Sequence, residues 1–300
     1  MYEKILVPLD GSELAEVSLP YAEELAGRLG SEVTLIYVRR SAEDPYDHMH
    51  RFYIEKTAEV TKQGAERYLE KPVGKAIKVE SRILVGHTAE EIVDYADKAD
   101  IGLIVMATHG RSGVKRWALG SVAEKVVRAT GRPTLLIRAK GARPHVGEKG
   151  ILNRVLVPLD GSKESEAVIP YIEELASKFK ARVTLLHILV PDLEAHDEVQ
   201  VERWVSLRAS GKDYIEKVAA QLEQRGIAVK AEFREMLLDS AAGAIVEFAD
   251  EIYADVVAMS THGRFGIGLW VFGGTEASVL HQSNIPILLV RPSQTESEQS

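Results

Sequence analysis

Cysteine is absent from all 300 residues. That excludes disulfides, thiolate metal sites and thiol nucleophiles, and it fits a reducing cytoplasm as the expected location. An excess of basic residues is missing too. The formal net charge is −8, opposite in sign to the basic face of a general nucleic-acid binder, so no nucleic-acid partner is expected. Nucleotide binding stays open, because a local cluster of cations outweighs the global sign at short range. No apolar run approaches the roughly 20 residues of a membrane-spanning helix, so no membrane is expected as a partner. Met1-Tyr2-Glu3-Lys4-Ile5 runs straight into a strand pattern, without the features of a signal peptide. Several site motifs are also missing. There is no Gly-x-x-x-x-Gly-Lys-Ser/Thr, no His-Glu-x-x-His and no EF-hand loop, and Gly266-Ile267-Gly268 lacks the third glycine of a dinucleotide fingerprint at Val271. Gly110-Arg111-Ser112-Gly113 is one residue short of a nucleophile elbow, so Ser112 is no hydrolase candidate.

What is present is an internal repeat. Ile5-Leu6-Val7-Pro8-Leu9-Asp10-Gly11-Ser12 returns as Val155-Leu156-Val157-Pro158-Leu159-Asp160-Gly161-Ser162, and Glu23-Glu24-Leu25-Ala26 returns as Glu173-Glu174-Leu175-Ala176. Thr108-His109-Gly110-Arg111 matches Thr261-His262-Gly263-Arg264, and Pro133 to Arg138 matches Pro286 to Arg291. A period this long is a duplicated domain, not a solenoid. The spacing predicts a first domain over 1–140, a linker over 141–152, a second domain over 153–292 and a polar, acidic tail over 293–300. The composition, 45% apolar and 27% charged, suits two soluble globular domains.

Each copy reads β-α-β-α-β-α-β-α-β. Strand-length apolar runs fall near 4–9, 32–38, 76–84, 102–107 and 133–138, and again near 153–159, 182–189, 227–235, 255–260 and 286–291. Such runs, alternating with helical patterns such as Leu14, Val17, Leu25 and Leu29, predict an α/β fold. Each domain is then a five-stranded parallel sheet with helices on both faces, Rossmann-like in plan. Ligands in such sheets sit outside the carboxyl ends of the strands, where the strand order reverses.

Two stretches lie at such ends. Asp10 and Asp160 each end a first strand before Gly-Ser. They are read either as an Asx-turn or helix cap, or as a carboxylate for a ribose or a phosphate-bound cation. Ala107-Thr108-His109-Gly110-Arg111-Ser112-Gly113, running on to Gly120-Ser121, follows the fourth strand and precedes a helix. Gly110, Gly113 and Gly120 suggest backbone geometry that a side chain would obstruct, and Arg111, Lys115 and Arg116 supply charge suited to a polyphosphate. Ser121-Val122-Ala123-Glu124 also reads as a plain capping box. Nothing orients His109 or His262 as a base, so neither is assigned catalysis.

At these residues the chain resembles the universal stress protein family, in its tandem form, over nearly its whole length. The family signature Gly-x2-Gly-x9-Gly-Ser/Thr reads here Ala107-x2-Gly110-x9-Gly120-Ser121, followed by Val122. The resemblance implies the fold of the adenine-nucleotide α-hydrolase group and an ATP site in which Pro8, Leu9 and Asp10 line the nucleoside pocket. By the same resemblance Val38 offers backbone to the base, and Ala107, His109, Gly110, Gly120, Ser121 and Val122 take ribose and phosphates, with Mg2+ or Mn2+ bridging, Asp10 being its candidate protein contact. The corresponding second set is Pro158, Leu159, Asp160, Ile188, Ser260, His262, Gly263, Gly273, Gly274 and Thr275. It departs from the pattern: Ser260 replaces a glycine, Gly274 stands where Ser or Thr is expected, and 265–272 replaces two cations with large apolar groups. Two readings follow: the favoured one is a degenerate second site whose apolar loop packs on a partner, the other domain or a second copy, and the other is a site that still binds by its glycines with the apolar segment turned away.

The function implied is an ATP-binding stress-response protein, acting as a switch or interaction module with at most weak ATPase activity, since nothing resembles a water-orienting base or an arginine finger. A nucleotide-independent scaffold with vestigial sites is the alternative, and a hydrolase of the related group a third. The resemblance further implies an internal pseudo-dimer of the two domains and leaves room for a homodimer.

Overall fold

The computed structural model describes residues 1–69, 77–109, 119–138, 150–190, 198–235, 240–261 and 275–292. The chain divides into two compact units, Met1–Ile151 and Leu152–Ser300.

In the first unit the order is β1 (Lys4–Leu9), α1 (Glu13–Glu16), α2 (Leu19–Leu29), β2 (Glu32–Arg39), α3 (Asp47–Glu66), β3 (Val79–Val85), α4 (Thr88–Lys98), β4 (Leu103–Ala107), α5 (Ser121–Ala129) and β5 (Thr134–Ile137). The strands run side by side as β3-β2-β1-β4-β5, and the adjacent pairs are parallel. β1 and β4 are buried on both faces, as their unbroken apolar sequences require: Ile5, Leu6, Val7, Ile104 and Val105 have no exposed surface. From β1 the chain steps outward through β2 to β3, then returns to the far side of β1. With right-handed crossovers that reversal puts the packed pair α2 and α3 on one face and the packed pair α4 and α5 on the other. It also opens a crevice at the carboxyl ends of β1 and β4.

The second unit repeats the plan with β6 (Arg154–Pro158), α6 (Lys163–Glu166), α7 (Ile169–Phe179), β7 (Arg182–Leu189), α8 (Glu198–Gln224), β8 (Ala228–Glu235), α9 (Ala241–Glu251), β9 (Val256–Ser260), α10 (Thr275–Gln282) and β10 (Ile287–Val290). Its strands are ordered β8-β7-β6-β9-β10, and its adjacent pairs are again parallel.

The helical pattern after β1 is broken into two helices, not one. Pro20 lies in the first turn of α2, where its missing N–H costs nothing, and Pro170 does the same in α7. The four-residue α1 and α6 that remain are too short to hold themselves and depend on their neighbours. Gly150 and Ile151, at the end of the expected linker, are fixed to the first unit. The Ile151 N–H donates to the wholly buried carboxylate of Glu24 at 2.5 Å, and Gly150 sits beside Glu24 and Arg28 at φ +78°, a conformation that favours glycine. The linker body over 139–149 and the tail over 293–300 lie outside the described residues.

Candidate nucleotide site

The carboxyl end of β1 is a tight polar turn. Asp10 Oδ1 accepts from the Ser12 N–H at 3.0 Å and from the Ser12 hydroxyl at 2.6 Å. Ser12 Oγ in turn accepts from the Ala15 N–H at 3.3 Å and caps α1. Gly11 between them has φ +79°, a conformation that favours glycine. The second unit repeats each contact: Asp160 Oδ1 to Ser162 N–H at 2.9 Å and hydroxyl at 2.5 Å, Ser162 Oγ to Ser165 N–H at 3.1 Å, and Gly161 at φ +84°. The Asx-turn reading of both aspartates is therefore correct, and it occupies one carboxylate oxygen of each. Pro8 and Pro158 are half-buried beside these turns, and Leu9 and Leu159 are buried under them.

The other wall is the exit of β4. The Thr108 N–H donates to the Ile137 carbonyl and the Thr108 carbonyl accepts from the Gly120 N–H, both at 2.8 Å. The chain thus leaves β4 and returns to the same residue before α5 starts. A Cβ on Gly120 would lie 2.7 Å from the Thr108 carbonyl oxygen. Gly120 has φ −62°, so glycine is needed there for close approach, not for an unusual dihedral. Gly120, not Ser121, is the residue preceding the helix, and no side chain caps it. The capping box read from Ser121 and Glu124 is therefore not formed. With Gly120 drawn onto Thr108, the helix begins one residue earlier than the capping box requires, and exposed Ser121 and half-buried Val122 become its first two members. Their N–H groups and that of Ala123 form the positive end of α5, facing the crevice side of β4. Ala107 is buried and stands outside the positive-φ residues, so alanine fits where the family signature has glycine. His109 Nδ1 lies 3.1 Å from Thr108 Oγ1. Gly110, Arg111, Gly113, Lys115 and Arg116 lie outside the described residues.

In the second unit Ser260 is buried and pairs with Val290, and the Thr261 N–H donates to the Val290 carbonyl at 2.8 Å, as Thr108 does to Ile137. α10 starts at Thr275. His262, Gly263, Gly273, Gly274 and the 265–272 loop lie outside the described residues.

The third wall comes from β2 and α3. The β1–β2 ladder ends at Leu9 and Tyr37, so Val38 lies one residue past its last β1 partner while still paired with Leu84. Ile188, its counterpart, is paired with Arg234. Beside Val38 is a set of residues that the sequence reading did not single out. Tyr37 is buried and stacks on His50 of α3, ring centres 4.5 Å apart, with Tyr53 edge-on at 6.4 Å. His50 Nδ1 is 3.2 Å from Asp44 Oδ2, and Arg39 donates to Asp47 at 2.6 Å. The Tyr53 hydroxyl donates to Glu16 of α1 at 2.9 Å. Burial, reinforced by the Glu16 hydrogen bond and charge and by Asp10, raises the Tyr53 pKa far above that of a free phenol. In the second unit Tyr214 of α8 takes this place, and burial together with Glu166 and Asp160 raises its pKa likewise. The signal was hidden because Glu16 and Glu166 keep the repeat offset whereas Tyr53 and Tyr214 do not: α3 and α8 differ in length.

Among the described residues, no group of three histidine, aspartate or glutamate side chains converges as a metal site, and no helix is long and apolar enough to cross a membrane.

Comparison with known proteins identifies the family of the chain. The model of the universal stress protein family matches residues 1–138 and again 152–291. Universal stress protein MJ0531 of Methanocaldococcus jannaschii is 32% identical over 148 residues, covering 46% of this chain and 83% of its own length. Universal stress protein Slr1230 of Synechocystis is 23% identical and aligns with 96% of this chain and 100% of its own, so it shares the doubled form. The crystal structure of a universal stress protein from Archaeoglobus fulgidus superposes with a TM-score of 0.67 at 21% identity, covering 98% of this chain and 97% of that one, a likeness of fold.

Proposed function

Because the chain belongs to the universal stress protein family in its tandem form, we propose that its N-terminal unit binds ATP together with Mg2+ or Mn2+. Occupancy of that site sets a conformation or an interaction in a cytoplasmic stress response, with little or no turnover. The observation that carries this reading is the start of α5. A glycine is pressed against a backbone carbonyl so closely that no side chain fits, and the uncapped amides of Ser121, Val122 and Ala123 follow it. Such a helix end is suited to a phosphate group. Asp10 supplies a carboxylate across the crevice, at the end of the neighbouring strand. When bound, the metal ion would offset phosphate charge, with Asp10 as the candidate side chain beside it. The chain's own part is to orient the nucleotide between the β1 turn and the α5 amides.

The test is a calorimetric titration of the nucleotide-stripped protein with Mg-ATP, repeated on Gly120→Val. One site per chain, lost in the variant while folding is kept, supports the reading. Two sites per chain would make the second unit a working site as well. No binding of wild type at millimolar ATP overturns the reading and leaves an interaction scaffold with vestigial sites.

A further inference from the structure

We propose that Tyr53, acting through Glu16, is a positioning residue that holds the Asp10 turn in its ligand-ready form and ties that turn to α3. The inference rests on the nucleotide reading above and adds a regulatory contact to the same site.

α1 is the element at issue. It follows directly on the Asp10–Ser12 turn and packs against β4, the strand whose exit forms the opposite wall of the crevice. At four residues it has no stability of its own. Its start is fixed by the Ser12 cap. Its last residue, Glu16, is half-buried and is fixed from outside by the Tyr53 hydroxyl at 2.9 Å. Tyr53 is held in its turn by the edge contact with Tyr37, while its backbone carbonyl accepts from Thr57 at 2.8 Å. A chain of contacts therefore runs from the site aspartate through α1 to α3.

Comparison of the two units argues that this is more than a local packing accident. The helix after the second strand has 20 residues in the first copy and 27 in the second, and the two tyrosines do not share the spacing of the two glutamates. Tyr214 nevertheless arrives beside Glu166 and Asp160. There Glu166 and Ser165 both lie within hydrogen-bonding reach of the Tyr214 hydroxyl, in a looser geometry than the Tyr53–Glu16 bond. The second unit thus keeps the tyrosine beside Glu166 of α6, whereas the first unit forms the tie as a hydrogen bond of 2.9 Å.

Tyr53→Phe in the full chain removes one oxygen and leaves the ring. The expected result is Mg-ATP binding weakened about tenfold, the size of a lost hydrogen bond to a charged group, with circular dichroism unchanged. Glu16→Ala reproduces the loss, while Glu16→Gln, which still accepts from Tyr53, stays within about threefold of wild type. Hydrogen exchange supplies a readout independent of ligand. In the nucleotide-free protein, the Ala15 and Glu16 amides exchange faster in Tyr53→Phe than in wild type, and with Mg-ATP only wild type gains protection in the first half of α3. Wild-type affinity in both Tyr53→Phe and Glu16→Ala would overturn the proposal. So would unchanged exchange at Ala15 and Glu16 in the nucleotide-free variant, whether or not the wild type binds ATP.

Discussion

At the end of its second strand the N-terminal unit has Tyr37 stacked on His50; the C-terminal unit has His187 stacked on Phe233, ring centres 5.9 Å apart. The register explains the exchange. Tyr37 lies opposite Ile83 in β3, and His187 lies opposite Phe233 in β8. A larger residue on the third strand leaves no room for one on the helix. Three residues before Tyr53 stands His50, and three before Tyr214 stands Gly211, whose added Cβ would lie 2.9 Å from Phe233 and 3.0 Å from His187. The freed imidazole turns instead to the backbone: His187 Nδ1 is 2.8 Å from the Leu159 carbonyl, next to Asp160. The first unit therefore braces its aspartate turn from the helix, through Tyr53 and Glu16. The second braces it from the strand, through His187. Duplication kept the turn and replaced its support.

The comparison breaks most sharply at Gly211. Gly211→His imposes the first unit's arrangement on the second and overpacks it, with an expected cost of about 1–3 kcal/mol in chemical denaturation. Adding Phe233→Ile should recover a large part of that loss, and the double-mutant cycle should show coupling. Additive effects would mean that the two positions do not compensate each other. The reciprocal change, His50→Ala, should cost the first unit about 0.5–1.5 kcal/mol, the worth of one aromatic stack.

The two aspartates sharpen the comparison on the functional side. Asp10→Ala and Asp160→Ala remove the same turn, so each should cost about 1 kcal/mol of stability. Only Asp10→Ala should also weaken Mg-ATP binding, by tenfold or more in calorimetry. Equal loss from both would place two working sites in the chain.

The duplication, the strands and both aspartate turns were legible because each rests on local pattern: buried parallel strands are apolar without interruption, and Asp-Gly-Ser writes its own turn. Gly120 was legible as a glycine that matters, though its reason, the approach to Thr108, is tertiary. The helix start at Ser121 was misread because a capping box is a local preference, and the pull of Gly120 onto Thr108 overrides it. Tyr53 and Glu16 were illegible for a related reason. Their contact joins residues 37 apart, and the repeat that could have flagged it is out of step at α8. Val38 and Ile188 each stand one residue before the end of their strands, β2 and β7, while the aromatic residues beside them carry no motif.

The smallest difference between the units concerns one glutamate on the second helix of each. Glu173 is paired with Arg225 at 2.5 Å. Its counterpart Glu23 meets Gly64 of α3 instead, packed so closely that a Cβ on Gly64 would lie 2.2 Å from the carboxylate. Burial pushes the Glu23 pKa up to about 7, and the Arg67 charge only partly opposes this. A raised pKa in the folded state means that folding favours the protonated form. The associated stability is complete below the ordinary carboxylate range and is lost as pH rises through about 7. Glu23→Gln, neutral throughout, should therefore match wild type in thermal unfolding near pH 4 and exceed it by a few degrees at pH 8. Glu173→Gln should instead lose the Arg225 pair at pH 8, an exposed contact worth at most about 1 kcal/mol. If wild type and Glu23→Gln keep the same difference in Tm from pH 4 to pH 8, Glu23 titrates as an ordinary surface carboxylate and the α2–α3 seam is open to water. Curves that coincide near pH 4 and part as pH rises toward about 7 would instead make that seam the part of the first unit whose packing follows the pH of the cell.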